Sequence, residues 1–269
     1  MSNSTMQDAA DWEAVAQYWQ QIEPRTAPVS TAVVDRLGPL APGALVLDLG
    51  CGVGEPGMSV LAANPGARLL GIDSAPAMVS AARARAGRDG VENAQFKVMD
   101  MAALTLETGS VDALVSRFGF LSLQDSTAEA VRVLRPGGPF AVAVWDRLDH
   151  HFLLGAVVRA VARQTGPDPF PLFSAVDALA VGGAQEAWLR RAGMSRVDSA
   201  LFRWTAELPD AASVAAQLND HPFGVVYSTL SLQARDAVLD DVLTELAPYA
   251  TASGGFAVPA ACRILCGVR

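Results

Sequence analysis

Three aspartates end three apolar segments in the first half of the chain, and carboxylates placed in this way could bind a ligand. Asp48 lies near the end of 44–49, Asp73 follows 68–72, and Asp100 follows 95–99. If these segments are parallel strands, their carboxyl ends meet at one edge of a sheet, where open α/β folds bind ligands. Together the three acids suit a ligand that carries a cation, a ribose and an adenine.

A glycine-rich segment follows the first aspartate. Alternating glycines and then a proline predict a buried strand that turns sharply into a helix, with backbone that a ligand can approach closely. These residues are Gly50, Gly52, Gly54 and Pro56. The stretch 52–57 also fits the G-x-G-x-x-G pattern of dinucleotide sites, with Asp73 about 20 residues on. A tight turn without a ligand, and a nicotinamide dehydrogenase, are therefore alternatives for the loop taken alone.

Strand and helix patterns alternate around these residues, which predicts a parallel sheet covered by helices on both faces. The predicted strands are 44–49, 68–72, 95–99, 111–116 and 140–145. The predicted helices between them are 56–63, 75–85, with Ser74 as its cap, and 128–134.

Further elements flank this region. Before it, helical spacing from Trp12 to Ile22 predicts a helix that ends at Pro24, and Val29, Val33 and Leu37 predict a second helix that stops at Gly38. After it, we expect helices at 152–162 and 184–191, a strand at 197–204, helical structure over 209–250 and a strand at 262–268.

Composition excludes several function classes. A net charge of -8 argues against a nucleic-acid partner, because such binding depends on lysine and arginine. The three cysteines form no disulfide framework and share no metal-ligand spacing with the histidines. The N-terminus lacks the features of a signal peptide, and no apolar run is long enough to span a bilayer. We therefore expect a cytoplasmic protein without a metal.

The chain resembles the class I S-adenosylmethionine-dependent methyltransferases, most closely their ubiquinone/menaquinone-type and small-molecule branch. The matching segments follow the family's order and are 47–56, 71–78, 99–101, 111–116 and 133–138. The resemblance implies a Rossmann-like seven-stranded, mostly parallel sheet with an antiparallel last strand and a helical lid. It also implies N-terminal helices over 1–43 that cover the cofactor site and a core over 44–269, with lid insertions at 147–182 and 208–255.

The same resemblance implies that S-adenosylmethionine is the cofactor and S-adenosylhomocysteine the product. Near the methionine part it places Tyr18, Asp48, Gly50, Gly52 and Gly54; near the nucleoside, Asp73, Ser74, Met78, Asp100 and Met101; and near the sulfonium, Ser116 and Arg117.

The implied reaction is methyl transfer to an O, N or C atom of a small, largely apolar metabolite, such as a quinone or another natural product. Alignment of the reacting groups can supply much of the catalysis, and His221 and His151 are the candidate bases for proton removal. Aromatic residues near strand ends and in the insertions favour an aromatic or apolar substrate; they are Phe118, Trp145, Phe152, Phe170, Phe173, Phe223 and Tyr227. A cofactor-dependent cyclisation and a non-catalytic cofactor-binding module are alternatives, and homo-oligomerisation is left open.

Overall fold

The computed structural model describes residues 12–119, 123–167, 169–170, 180, 183–220 and 223–269. Within these ranges, only the backbone is described at 12–18, 20–22, 123–125, 220 and 225.

Seven strands form one sheet in the described part of the chain. They are β1 (Leu45–Leu49), β2 (Arg68–Asp73), β3 (Ala94–Val98), β4 (Ala113–Arg117), β5 (Pro139–Trp145), β6 (Ser195–Leu208) and β7 (Phe256–Val268). Their spatial order is β3, β2, β1, β4, β5, β7, β6. Neighbouring strands from β3 to β5 pair in parallel, whereas β7 runs antiparallel to β5, with Trp145 opposite Cys262. The expected Rossmann-like, mostly parallel sheet is confirmed.

Helices connect these strands. They are α1 (Trp12–Leu37), α2 (Gly57–Ala63), α3 (Pro76–Arg88), α4 (Leu123–Val133), α5 (Phe152–Thr165), α6 (Ala184–Ala192), α7 (Ala211–Asp220), α8 (Gly224–Tyr227) and α9 (Leu232–Leu246). Short 3-10 turns cover Leu148–His150 and Ala247–Tyr249. The region predicted to be helical over 209–250 is thus divided into several shorter elements.

The sheet is buried because its central strands are apolar on both faces. Every residue of β4 is buried, as are 46–49 in β1, which is the pattern of a strand with helices on both sides. Leu47, Leu114 and Phe140 belong to one core cluster that extends to Leu189 and Leu265. This packing holds the carboxyl ends of β1, β2 and β4 in a fixed relation.

Two local predictions were wrong. Helix α1 runs without interruption through Pro24 to Leu37, so the two predicted helices are one. A proline removes one backbone donor, but Val29 and Val33 are fully buried, and this packing stabilises the helical path. Ser74 does not cap α3, because the chain enters the helix one residue later and Ala75 holds the cap position without a side-chain bond.

The chain divides into two compact units. The sheet unit comprises Thr26–Trp145, Leu179–Phe202 and Cys262–Arg269, and the helical unit comprises the chain up to Arg25, Asp146–Ala178 and Arg203–Ala261.

Within the helical unit, α5 packs against α9. Val238, Val242 and Leu246 of α9 are fully buried, and the exposed side of the pair carries the ion pairs Arg159–Glu245 at 2.6 Å and Arg163–Asp241 at 2.7 Å.

Candidate functional site

Asp48 is a fully buried carboxyl group near the carboxyl end of β1. The parallel register places it between Gly71 of β2 and Val115 of β4. Its Oδ2 accepts a hydrogen bond of 2.8 Å from the Gly57 N–H at the start of α2, while its Oδ1 has no hydrogen-bond partner. Burial raises the pKa of Asp48 to about 8. A buried oxygen without a partner is costly, and a nearby cation would lower that cost.

The glycine loop after β1 adopts backbone angles that favour glycine. The φ values of Gly50, Gly52 and Gly54 are 65°, 49° and 105°, which side chains disfavour. A Cβ on Gly50 would lie 2.8 Å from the Cα of Gly119, whereas nothing lies within 4 Å of a Cβ built on Gly52. The loop is therefore packed at Gly50 and open at Gly52, where a ligand can reach the backbone.

Asp73 ends β2 and lies beside this loop. Its Oδ2 accepts a hydrogen bond of 3.0 Å from Gly52 N–H, and its Oδ1 accepts one of 2.9 Å from Ala75 N–H. Burial raises the pKa of Asp73 above its usual value. Each carboxylate oxygen retains further acceptor capacity, so this side chain is held in a position that suits the two hydroxyls of a ribose.

Further residues assigned to the nucleoside are Asp100 and Met101, which follow β3, and Met78 of α3. Asp100 is exposed, and its Oδ1 accepts a hydrogen bond of 2.9 Å from Ala102 N–H. The Met101 methyl carbon lies 3.3 Å from the position of a Cβ built on Gly50. Met78 is buried in the first turn of α3. Met101 therefore lies beside the glycine loop, and its role near the nucleoside stays a prediction.

Ser116 and Arg117, at the end of β4, are buried and bonded within the sheet unit. The Ser116 hydroxyl donates to the Leu49 carbonyl at 2.6 Å and so ties β4 to β1. Arg117 Nη1 donates to the Ser30 hydroxyl of α1 at 2.8 Å and to the Thr26 carbonyl at 3.3 Å. A role for either residue near a sulfonium stays a prediction.

The turn after β4 includes a residue that the sequence analysis missed. A Cβ on Gly119 would meet the Leu49 carbonyl oxygen and would lie 2.9 Å from the Gly50 Cα. Gly119 therefore has to lack a side chain for this turn to pack against the glycine loop. The available signal was its position, three residues after the predicted strand 111–116, at the ligand-binding edge of the sheet.

The preceding residue, Phe118, has a φ of 61°, in the left-handed region that a bulky side chain rarely adopts. Its N–H donates to the Ala143 carbonyl at 2.8 Å. Its ring stacks on that of Trp145, with the centroids 3.7 Å apart and the planes inclined by 6°.

The candidate base His151 belongs to the helical unit. His151 is buried, its Nδ1 accepts a hydrogen bond of 3.4 Å from Leu154 N–H at the start of α5, and burial lowers its pKa to about 4. The Nδ1 of His150 lies 3.5 Å from Oδ2 of the buried Asp146. His221 lies outside the described residues, as does the side chain of Tyr18, so their roles stay predictions.

The aromatic set divides between the two units. Phe118 and Trp145 belong to the sheet unit. In the helical unit, Phe152 packs edge-to-face on Tyr249 and Phe170 on Phe223, while Phe173 lies outside the described residues.

Metal-binding clusters and membrane-spanning helices are absent from the described residues. They contain no group of three or more His, Cys, Asp or Glu side chains that could hold a metal ion. None of the helices in this part of the chain is both long enough and apolar enough to cross a membrane.

Known proteins resemble this chain over the region that contains the site. A family model described as a methyltransferase domain matches residues 46–138. A trans-aconitate 2-methyltransferase of Methylobacterium nodulans is 33% identical over 192 residues, covering 68% of this chain and 69% of that protein. The chain belongs to the class I S-adenosylmethionine-dependent methyltransferases. A trans-aconitate 2-methyltransferase of Deinococcus radiodurans is 36% identical over 155 residues, covering 56% of this chain, which spans only 57% of that relative's length.

Solved structures share the fold of this methyltransferase family member. The YcgJ protein of Bacillus subtilis superposes with a TM-score of 0.57 at 16% identity, covering 89% of this chain and 97% of that one. At such low identity the similarity supports the seven-stranded fold alone.

The cofactor of the family is S-adenosylmethionine, and the observed residues fit it. The unpartnered Oδ1 of Asp48 would face a positive charge favourably. The open backbone at Gly52 and the fixed carboxylate of Asp73 provide the close approach and the acceptors that a nucleoside requires.

Proposed function

We propose that this protein transfers a methyl group from S-adenosylmethionine to an O, N or C atom of a small, largely apolar metabolite. The observation that carries the proposal is the buried, half-satisfied Asp48 beside the open glycine loop and Asp73. This set combines an acceptor for positive charge, accessible backbone and an acceptor for vicinal hydroxyls at one edge of the sheet.

When bound, the cofactor supplies a methyl group that is already activated by a positively charged sulfur. The residues of this chain then have to bind the cofactor and orient it towards the methyl acceptor. Asp73 is held by two backbone N–H groups and would fix the ribose. Asp48, removed from water, would exert its negative charge in a low-dielectric environment, where such interactions are strongest. Ser116 and Gly119 hold the β4 end against the loop.

A metabolite acceptor is supported by the relatives and by the charge of the chain. Two relatives are named as trans-aconitate methyltransferases, and trans-aconitate is a small molecule. The net charge of -8 disfavours a polyanionic macromolecule. An apolar acceptor is further supported by the aromatic pair Phe118 and Trp145 beside the loop.

Proton removal would fall to His151 or His221 in this proposal. The low pKa of His151 keeps its imidazole neutral at physiological pH, and so able to accept a proton, although as a weak base.

The test combines binding with labelled-methyl transfer. We expect the purified protein to bind S-adenosylmethionine and S-adenosylhomocysteine in calorimetry and to pass labelled methyl groups to small-molecule acceptors from a metabolite panel. Asp73→Ala should weaken binding at least tenfold, because about two hydrogen bonds to a charged group are lost. The matched control is Asp240→Ala, an exposed aspartate of α9.

Absence of cofactor binding by the wild-type protein would overturn the proposal. Binding without methyl transfer to any acceptor would favour a cofactor-dependent reaction of another kind or a binding module.

A further inference from the structure

The backbone of Phe118 is strained in a way that positions its ring. A phenylalanine at a φ of 61° occupies a conformation that glycine or asparagine would adopt at lower cost. Such outliers persist where the surrounding structure enforces them, and they are concentrated at functional sites. Here the enforcing contacts are the hydrogen bond from Phe118 N–H to Ala143 and the close packing of Gly119 on Gly50.

This conformation produces a nearly parallel stack on Trp145. The two ring centroids are 3.7 Å apart and the planes differ by 6°. Phe118 is only 5% exposed, whereas Trp145 is half-buried. The phenyl ring therefore supports the indole from one side and fixes its plane, and the indole keeps accessible surface.

The stack lies at the ligand-binding edge of the sheet unit. Trp145 is the last residue of β5, and Phe118 directly follows β4, its parallel neighbour. The next residue, Gly119, contacts Gly50 in the glycine loop. The two charged residues that adjoin the pair in the sequence are both buried. Arg117 donates to Ser30 of α1, and the Asp146 carboxylate accepts from Arg147 N–H at 2.8 Å. A rigid aromatic surface thus borders the loop that the proposed function assigns to the cofactor.

We propose that Trp145, held in place by Phe118, forms a wall of the acceptor subsite and selects a flat, conjugated acceptor such as a quinone-type or phenolic ring. This inference rests on the proposed function and specifies its substrate class. A flat ring gains dispersion and quadrupole interactions by offset stacking on the indole. A flexible polycarboxylate would instead lose hydration of its charges against the same surface.

The experiment measures acceptor binding to the protein saturated with S-adenosylhomocysteine. Menadione, a flat naphthoquinone, and trans-aconitate, a non-aromatic tricarboxylate, are titrated separately by calorimetry. We expect menadione to bind more tightly than trans-aconitate. Trp145→Leu should weaken menadione about tenfold, in line with the loss of ring stacking and buried area, and should leave the affinity for S-adenosylhomocysteine within about twofold of the wild type.

Additional variants separate selection from structure. Phe118→Leu removes the supporting ring and should reduce menadione affinity, whereas Phe118→Tyr keeps a ring and should retain it. Trp188→Leu removes a half-buried tryptophan that packs against the core of the same unit and should leave menadione binding unchanged. Cofactor-product affinity, measured for each variant, shows whether the site is still folded.

Three results would overturn the inference: no menadione binding by the wild type, tighter binding of trans-aconitate, or unchanged menadione affinity in Trp145→Leu. If S-adenosylhomocysteine still binds in these cases, only the substrate class fails. If it does not bind to the wild type, the proposed function itself fails.

Discussion

Asp48 is a buried residue whose unpaired oxygen destabilises the folded protein, and a bound cation would reduce that destabilisation. One of its oxygens is satisfied by α2, and the other has no hydrogen-bond partner. With its pKa raised to about 8 by burial, the carboxyl group is largely protonated at neutral pH in the ligand-free protein. A cation placed over the loop would favour the ionised form.

The stability of the ligand-free protein should therefore depend on pH through Asp48. The folded state holds a proton that the unfolded chain releases above the ordinary pKa of 3.8. The free energy of unfolding then falls as pH rises from about 4 to about 8. Asp48→Asn should flatten this decline in urea titrations at a series of pH values. An identical slope in the wild type and the variant would contradict the assignment.

Two close contacts between elements hold the glycine loop against the end of β4. The turn after β4 touches the glycine loop at Gly119 and Gly50, and Ser116 ties the same strand end to Leu49. The contact between Gly119 and Gly50 is too close for a side chain on either residue.

Gly119→Ala should disturb this arrangement. The added Cβ would meet the Leu49 carbonyl oxygen and the Gly50 Cα, so backbone must move, and we expect at least a tenfold loss of S-adenosylhomocysteine affinity in calorimetry. Gly87→Ala is the control, because nothing lies within 4 Å of its Cβ position in α3; it should be neutral or stabilising by about 0.5–1 kcal/mol. Wild-type affinity in Gly119→Ala would show that the loop tolerates displacement.

A separate prediction concerns the contribution of helix α1 to stability. Pro28 is an exposed residue in the interior of this helix, where it removes a backbone donor and crowds the preceding turn. Pro28→Ala should therefore increase the free energy of unfolding by about 1–3 kcal/mol in urea titrations. Pro76→Ala, at the start of α3, should have little effect, because the N–H that alanine restores has no intrahelical acceptor in the first turn. A destabilised Pro28→Ala protein would mean that proline shapes the packing of α1.

The assigned cofactor residues whose side chains are described all lie in the sheet unit. Asp48, Asp73, Asp100 and Arg117 belong to strands or strand ends that one core cluster supports. The candidate base His151 belongs to the helical unit. Cofactor binding can thus be tested independently of the acid–base chemistry.

Ligand binding to the folded sheet unit should raise its stability by mass action. At a concentration one hundred times its Kd, S-adenosylhomocysteine is expected to increase the free energy of unfolding by about 2.7 kcal/mol. Thermal denaturation followed by circular dichroism, with and without ligand, measures this effect. His151→Ala should keep the ligand-induced increase. Asp73→Ala should lose about half of it or more at the same ligand concentration, because a tenfold weaker Kd leaves an increase of only about 1.4 kcal/mol. An equal increase in Asp73→Ala would remove that residue from the cofactor site.

Local sequence patterns were sufficient to predict the alternating strands and helices, the glycine loop and the three aspartates at strand ends. These features are local: apolar periodicity, glycine spacing and the residue that follows a strand are all visible along a short window. Because parallel strands align their carboxyl ends, the positions of Asp48 and Asp73 at strand ends were enough to predict that both lie at one edge of the sheet.

The environment of these residues, by contrast, depends on the packing of the folded chain. The orphaned oxygen of Asp48, the path of α1 through Pro24 and the strained stack of Phe118 on Trp145 depend on contacts between segments far apart in the chain. Burial, strain and unpaired polar atoms arise from such packing. A residue's type and spacing do not fix them, since the partners that enclose it come from elsewhere in the sequence.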